Sequence, residues 1–357
     1  MLGEITLDEL LAAARRLAAS DLHLASNERP AFRCDGTLRF LDASVLSQHE
    51  FEQICACLFG NTLLQSNPCD DLDRTIEYRT FGRLRVHAFR SQGQWQIAIR
   101  LLAARIAEAH ELGLPESVIA LFGQEQLQAG LVLIAGATGQ GKTTVLATLL
   151  EHINCTRHVH IVTIEDPIEY CFQSQLAHIS QRELGSDIAS FAAGIHAAMR
   201  MDPDIIAIGE LREPLAIAAA LRAAETGHLV FATVHSADCV SALERLIDAF
   251  DEGKSTIRHT LASALRAVLS LRLLPRKNAP GRVLASELLV ATDSIRSHIR
   301  EQKTHQVRNA ILTGRAHGMY TFESTLRQLF RQGAIDEQQA RNASTFPDEL
   351  SQQTVLR

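Results

Sequence analysis

The sequence predicts an α/β protein in two parts: a small N-terminal module of helices and hairpins, then a larger domain built on a mostly parallel sheet. Three observations predict it. Residues 131–135, Leu-Val-Leu-Ile-Ala, form an apolar run that enters a glycine-rich turn and then a helical pattern opening at Lys142. Further apolar runs at 159–164, 205–208 and 229–234 recur with helical segments between them. That texture belongs to parallel strands covered on both faces. Before residue 103 the texture differs, with short alternating strands and tight turns.

Taken in order, Thr6-Leu-Asp-Glu9 is a capping box, and Leu7, Leu10, Leu11, Ala14 and Leu17 give the helix behind it an apolar face. Ser20 to Leu24 alternates as a strand does, and Phe32 to Phe40 reads as a hairpin around Asp35-Gly36. Ser47 to Glu50 is a second capping box, with Phe51, Ile54, Cys55, Leu58 and Phe59 on one helical face. Arg83 to Phe89 and Gln96 to Leu102 are strands joined at Gln92-Gly93. The expected division is therefore an N-terminal domain at 1–102, a linker at 103–115, a core at 116–290, a helical region at 291–341 and a loose polar tail at 342–357. Helices are expected at 116–122, 293–300, 306–312 and 321–333, and a strand at 282–290.

Composition narrows the class. An apolar fraction of 46% over 357 residues suits a globular protein with a real core. The net charge of −6 opposes a nucleic-acid partner, which needs clustered Lys and Arg. No apolar run is long enough to span a bilayer, and the acidic start, with Glu4, Asp8 and Glu9, does not read as a signal peptide. A cytoplasmic protein is expected, with its seven cysteines reduced. There is no C-x-x-C pair and no H-E-x-x-H, so a zinc site is not expected.

The chemistry concentrates around Gly136-Ala137-Thr138-Gly139-Gln140-Gly141-Lys142-Thr143-Thr144, which matches G-x-x-x-x-G-K-[ST]. Gly136, Gly139 and Gly141 let the backbone close around an anion with its N–H groups inward, and the helix N-terminus adds its positive dipole end. Lys142 supplies a charge for the β- and γ-phosphates, and the Thr143 hydroxyl suits a nucleotide-borne Mg²⁺. The implied ligand is a nucleoside triphosphate. Thr163-Ile164-Glu165-Asp166-Pro167 ends the second apolar run. Glu165 and Asp166 there can orient Mg²⁺-bound water; in a second reading Asp166 caps a helix with Pro167 at its first position. Ile205–Ile208 ends in Gly209-Glu210, with no Asp before the Glu. Glu210 would position or activate the attacking water, or hold magnesium through one. His228 opens and His235 closes the strand between them, so His235 falls at the catalytic edge and can sense the γ-phosphate.

These residues resemble a known family. GATGQGKTT, TIEDPIEY, DPDIIAIGELRE and ETGHLVFATVHS are similar to the Walker A, Asp box, Walker B and His box of the type II/IV secretion (GspE/PilT) ATPase superfamily. Their order and the chain length match its twitching-motility retraction branch best. The resemblance implies a PAS-like N-terminal α/β domain, a RecA-like P-loop ATPase domain with a helical C-terminal extension, and a homo-hexameric ring. It also implies ATP and Mg²⁺ as ligands, an inner-membrane pilus or secretion platform protein as partner, and a peripheral position at the membrane. Glu210, Glu165 and His235 would be the catalytic residues, with His228 and His235 as the His box. Arg83, Arg85 and Arg100 would reach a nucleotide at a subunit interface, as strand-borne guanidinium groups can clamp phosphate; the other reading is an exposed basic strand. The sequence departs from the family in places. Ser294-Ile295-Arg296-Ser297-His298-Ile299-Arg300-Glu301 stands for Ala-Ile-Arg-Asn-Leu-Ile-Arg-Glu, a segment tied to retraction, and Gln140 replaces the usual Ser. The tetracysteine insertion and long N-terminal extension of the pilus-assembly branch are not present. A secretion or conjugation motor like DotB, or a ring component with little turnover, are the alternatives.

Overall fold

The computed structural model describes residues 5–351 except 35, 42–44, 61–70, 103–104 and 124–126. The chain divides into two compact units, Met1–Arg105 and Ile106–Arg357.

Among the described residues, the first unit is a six-stranded antiparallel sheet carrying two α-helices. The strands are β1 (Asp21–Ala25), β2 (Ala31–Cys34), β3 (Thr37–Phe40), β4 (Leu72–Glu77), β5 (Arg83–Ser91) and β6 (Gln94–Leu101), in the order β3-β2-β1-β6-β5-β4. Period-two alternation sends Leu84, Val86, Ala88, Ile97 and Ile99 into a core shared with Leu10, Leu11, Phe51 and Ile54 of the helices Leu7–Arg16 and Gln48–Phe59. Both helices carry the expected capping boxes, Thr6 with Glu9 and Ser47 with Glu50. The β5–β6 turn has positive φ at Gln92 (52°) and Gly93 (79°), which matches the twist of a two-residue hairpin loop. Asp35, expected in the β2–β3 turn, lies outside the described residues. β4 is an addition to the expected strands. Its sequence, Leu-Asp-Arg-Thr-Ile-Glu, is polar because it is an edge strand, and its ladder with β5 rather than burial makes it a strand.

The second unit is a seven-stranded sheet of order β13-β12-β7-β11-β10-β8-β9. Its strands are β7 (Gly130–Ala135), β8 (His160–Glu165), β9 (His178–Glu183), β10 (Ile205–Ile208), β11 (Leu229–Val234), β12 (Leu265–Pro275) and β13 (Arg282–Val290). All neighbours are parallel except β12 and β13. β7 and β11 are buried along their whole length. Leu131 and Leu133 belong to the core on one face, Val132 and Ile134 to the core on the other, so a continuous apolar run serves two helical layers. Val145, Leu146, Leu149, Leu150 and Ile153 of the helix Lys142–Thr156 join the second of these cores.

Two strands depart from the sequence expectation. β9 has no apolar run; its pairing with β8 defines it. β12 follows the helix Lys254–Ala264 without a loop, the backbone turning extended at Leu265 (φ −59°, ψ 132°). Leu261, Ala264, Leu265, Val268 and Leu269 keep helical spacing through that junction. Periodicity alone therefore continues the helix, and pairing with β7 and β13 overrides it. The stretch read as a linker contains the helix Ala109–Leu112, whose Ala109 and Leu112 pack against the second unit's core.

The helices Glu116–Phe122, Asp293–Arg300, Val307–Thr313 and Phe322–Arg331 lie where the pattern put them. The tail expected to be loose from residue 342 is ordered through the helix Pro347–Ser351. Arg308 explains this: it pairs with Glu349 Oε1 at 2.9 Å and with buried Glu323, and its guanidinium covers the Phe346 ring. Residues 352–357 of that tail lie outside the described residues.

Glu287 on β13 ties the sheet to two helices. It is 5% exposed and accepts the Cys239 N–H at 3.1 Å and the Phe322 N–H at 3.5 Å. These are the first residues of the helices Cys239–Asp248 and Phe322–Arg331, so one carboxylate meets two positive helix ends. Burial raises its carboxyl pKa above the usual range, against the lowering by the Cys239 hydrogen bonds. Glu287→Ala leaves both N–H groups without that acceptor and is expected to cost about 2–4 kcal/mol. Glu287→Gln keeps an acceptor and should cost roughly half as much or less. Chemical denaturation of the two variants checks the order; equal losses would count against the capping role.

Candidate active site

The parallel ladder brings the glycine turn and the strand-end polar residues to one edge of the sheet. Ala135 pairs with Val234, and Ile208 pairs with both Ala232 and Ile164. The ladder continues past the strands: Gly136 N donates to Val234 O at 3.2 Å, Gly209 N to Ile164 O at 2.8 Å and Leu211 N to Thr233 O at 2.9 Å. Consequently the loop after β7, Glu165 ending β8, Glu210 after β10 and His235 after β11 share the C-terminal edge, where open α/β sheets bind ligands.

Within the loop, Gly136, Gly139 and Gly141 have φ of 159°, 77° and 82°. The last two lie in the left-handed region that glycine adopts without strain. At Gly136 the constraint is also space, since a Cβ would sit 3.1 Å from Leu271 O. The buried Lys142 bends back over the loop, its Nζ donating to Gly136 O at 2.9 Å and Ala137 O at 3.0 Å. Burial lowers its pKa, and Glu210 is the largest charge acting the other way. Thr144 Oγ1 lies 2.9 Å from the Tyr170 hydroxyl.

A chain of contacts leads from the loop to the acid. Thr138 Oγ1 is 3.2 Å from His235 Nδ1, and His235 Nε2 is 3.1 Å from Glu210 Oε1, which also accepts from Arg212 Nε. Burial, then the Lys142 charge, lowers the His235 pKa, so the ring is neutral at pH 7. It then donates from Nε2 to the carboxylate and accepts from Thr138 at Nδ1. Burial works to raise the Glu210 carboxyl, but the hydrogen bonds from Arg212 and His235 and the Arg212 charge outweigh it and hold the group below its usual range. Glu165 Oε1 accepts from Thr163 Oγ1 at 2.7 Å and Gln181 Nε2 at 3.0 Å. Thr143, Thr163 and Glu165 bring oxygen atoms, the kind of donor Mg²⁺ prefers, to one small pocket whose other lining is mostly apolar, with Leu146, Leu150, Phe172 and Ala207. Among the described residues no three His, Cys, Asp or Glu side chains converge to hold a metal by themselves.

Other candidates fall elsewhere. His228 precedes β11 at the opposite end from His235, its Nδ1 3.1 Å from Ala223 O. The Asp166–Pro167 peptide is cis and no helix follows it, which removes the helix-cap reading of Asp166. Arg83, Arg85 and Arg100 share one face of the first unit's sheet, Arg85 opposite Arg100 in the β5–β6 register. Arg85 pairs with Asp73 at 3.7 Å and Arg100 with Asp21 at 2.8 Å. The sequence reading did not single out Arg212, Gln181 or Arg282. Arg212 stood two residues beyond Glu210 and was recoverable; Gln181 sits on the strand that had no apolar signal.

Comparison with known proteins identifies the family. Residues 3–354 match the model of the type II/IV secretion system protein family. The type IV pilus retraction ATPase PilT of Pseudomonas aeruginosa is 36% identical over 347 residues, covering 95% of this chain and 98% of that protein. A crystal structure of the pilus retraction motor PilT with bound ADP superposes with a TM-score of 0.86 at 38% identity, covering 98% of this chain and 99% of that one. The Legionella pneumophila ATPase DotB gives a TM-score of 0.83 at 27% identity, with 96% of each chain covered. The chain belongs to the type II/IV secretion system protein family, as a PilT-like P-loop ATPase.

Proposed function

We propose that this ATPase assembles as a homo-hexamer on an inner-membrane platform protein and drives type IV pilus retraction. The single observation that carries the motor reading is the Thr138–His235–Glu210 chain, which joins the phosphate loop to a strand-end acid. The triphosphate would lie in the Gly136–Thr144 loop, with Lys142 on its β- and γ-phosphates. Mg²⁺ would be held by Thr143 and, through water, by Glu210, and its charge would offset negative charge on the phosphates. Glu210 orients or activates the attacking water, Glu165 assists from the next strand, and His235 senses the γ-phosphate. Arg83, Arg85 and Arg100 would act in trans on a neighbour's nucleotide, with Arg85 and Arg100 exchanging Asp73 and Asp21 for phosphate. Turnover then changes affinity between neighbouring subunits, which is what a motor requires. No helix among the described residues is long and apolar enough to cross a membrane, consistent with peripheral attachment through the platform. A nucleic-acid partner is not proposed, given the net charge of −6.

The likeness to DotB and the altered residues 294–301 favour a second reading, a secretion or conjugation motor using the same chemistry. Neighbouring genes for pilins or for a secretion channel separate the two.

Three outcomes test these assignments. Glu210→Gln should lower ATP turnover by about two orders of magnitude or more while nucleotide still binds; robust hydrolysis by this variant removes Glu210 from its role. The pKa values of His235 and Glu210 are both lowered, so the neutral ring and the ionised acid persist to more acidic pH than usual. Turnover should hold from pH 8 down to about 6.5 and fall only below it. A kcat/KM profile with its acid limb above that point in the unaltered protein, and lost in His235→Asn, would contradict the assignment. A deletion strain should be hyperpiliated and unable to twitch; intact twitching with lost secretion or conjugation would favour the second reading.

A further inference from the structure

The phosphate loop is fastened from outside by the free end of the β12–β13 hairpin. The ladder between β7 and β12 ends at Ala135 opposite Ser270, yet β12 runs on to Pro275. Beyond Ser270, the edge of β12 that faced β7 has no strand beside it among the described residues, and its N–H groups need other acceptors. Gln140 supplies one: its Oε1 accepts the Leu273 N–H at 2.5 Å. From β13, Arg282 Nη1 donates to the Gly139 carbonyl at 3.0 Å. The Gly139–Gln140 peptide is thereby held at both ends, because its own N–H donates to Ala137 O at 3.3 Å. Space is tight here as well: a Cβ at position 136 would lie 3.1 Å from Leu271 O and one at position 141 would lie 3.4 Å from Leu273 Cδ1. Reach explains the residue at 140. Glutamine places its acceptor three atoms beyond Cβ, whereas a serine hydroxyl stops one atom beyond it.

We propose that Gln140 and Arg282 are positioning residues for ATP hydrolysis, which bind the tip of the phosphate loop to the β12–β13 hairpin and so set the directions of the N–H groups that receive the triphosphate. Neither residue's role depends on what the motor moves. The inference rests on the nucleotide site described above; failure of that site would show as no turnover by the unaltered protein, whereas the outcomes here are read in variants of an active one.

The test is steady-state ATP hydrolysis by the full chain carrying Gln140→Met, Arg282→Ala or both, with a thermal melt of each. Methionine keeps the length of glutamine and removes the acceptor. Each single variant is expected to raise KM for ATP about fivefold, the size of one lost net hydrogen bond, with KM changing by a larger factor than kcat. Melting temperatures should stay within about 2 °C of the unaltered protein. Because both residues act through one peptide, the double variant should fall well short of the roughly 25-fold product expected of independent effects. An unchanged KM in both single variants overturns the proposal. So does a full multiplicative effect in the double variant, which would mean that Arg282 meets the nucleotide by itself. A KM rise seen only in variants that also melt much earlier overturns it as well, because the contacts would then be structural.

Discussion

The parallel ladder linking β7, β11, β10 and β8 is the constraint on which the rest of the structure depends. Parallel strands point the same way, so their C-terminal ends, and whatever follows them, meet at one edge. Each of these strands is short, four to six residues, and buried on both faces. A shift of register would exchange the residues facing the two helical layers. The apolar packing that stabilises the sheet therefore also holds the phosphate loop, Glu165, Glu210 and His235 in one neighbourhood.

At that edge the site is organised by competition between burial and charge. Lys142 and His235 both lose affinity for protons through burial, and each also feels the other charges nearby. Glu210 resists the same burial because Arg212 and His235 reach it directly. The result is a neutral ring bridging a hydroxyl and an ionised carboxylate, a connection able to pass a change at the phosphate loop to the acid. Glu287, a buried acid on β13, has a different solution. It answers two helix N-termini, and its pKa moves upward rather than down. One of those helices opens just after the His235 turn and the other belongs to the C-terminal helical region, so the buried carboxylate links the two mechanically.

The antiparallel hairpin of β12 and β13 gives the sheet an edge that outruns its neighbour. That overhang is where Leu273 and Arg282 meet the loop. A parallel strand ending level with β7 would have left the loop's outer side to solvent. The site is thus bounded on one side by strand ends and on the other by the face of a longer hairpin.

Much of this was legible in the amino-acid order. A continuous apolar run, a glycine turn and a helical pattern are local signals, and Gly136 to Thr144, Glu165, Glu210 and His235 followed from strand ends because parallel geometry leaves little choice. The capping boxes at Thr6 and Ser47 and the Gln92-Gly93 turn were equally local. Other features were decided by tertiary pairing. β12 has helical spacing up to and beyond Ala264, and only the open edges of β7 and β13 make it a strand. β4 and β9 are polar and owe their form to a neighbour's ladder. The segment at Phe346 and Glu349 is held by Arg308, and Gln140 finds its partner 133 positions away. Sequence alone determined what each residue's nearest neighbours along the chain could satisfy; the tertiary structure decided wherever a backbone or side-chain group had to find its partner across the fold, because such a group carries no periodic signature of the contact it will make.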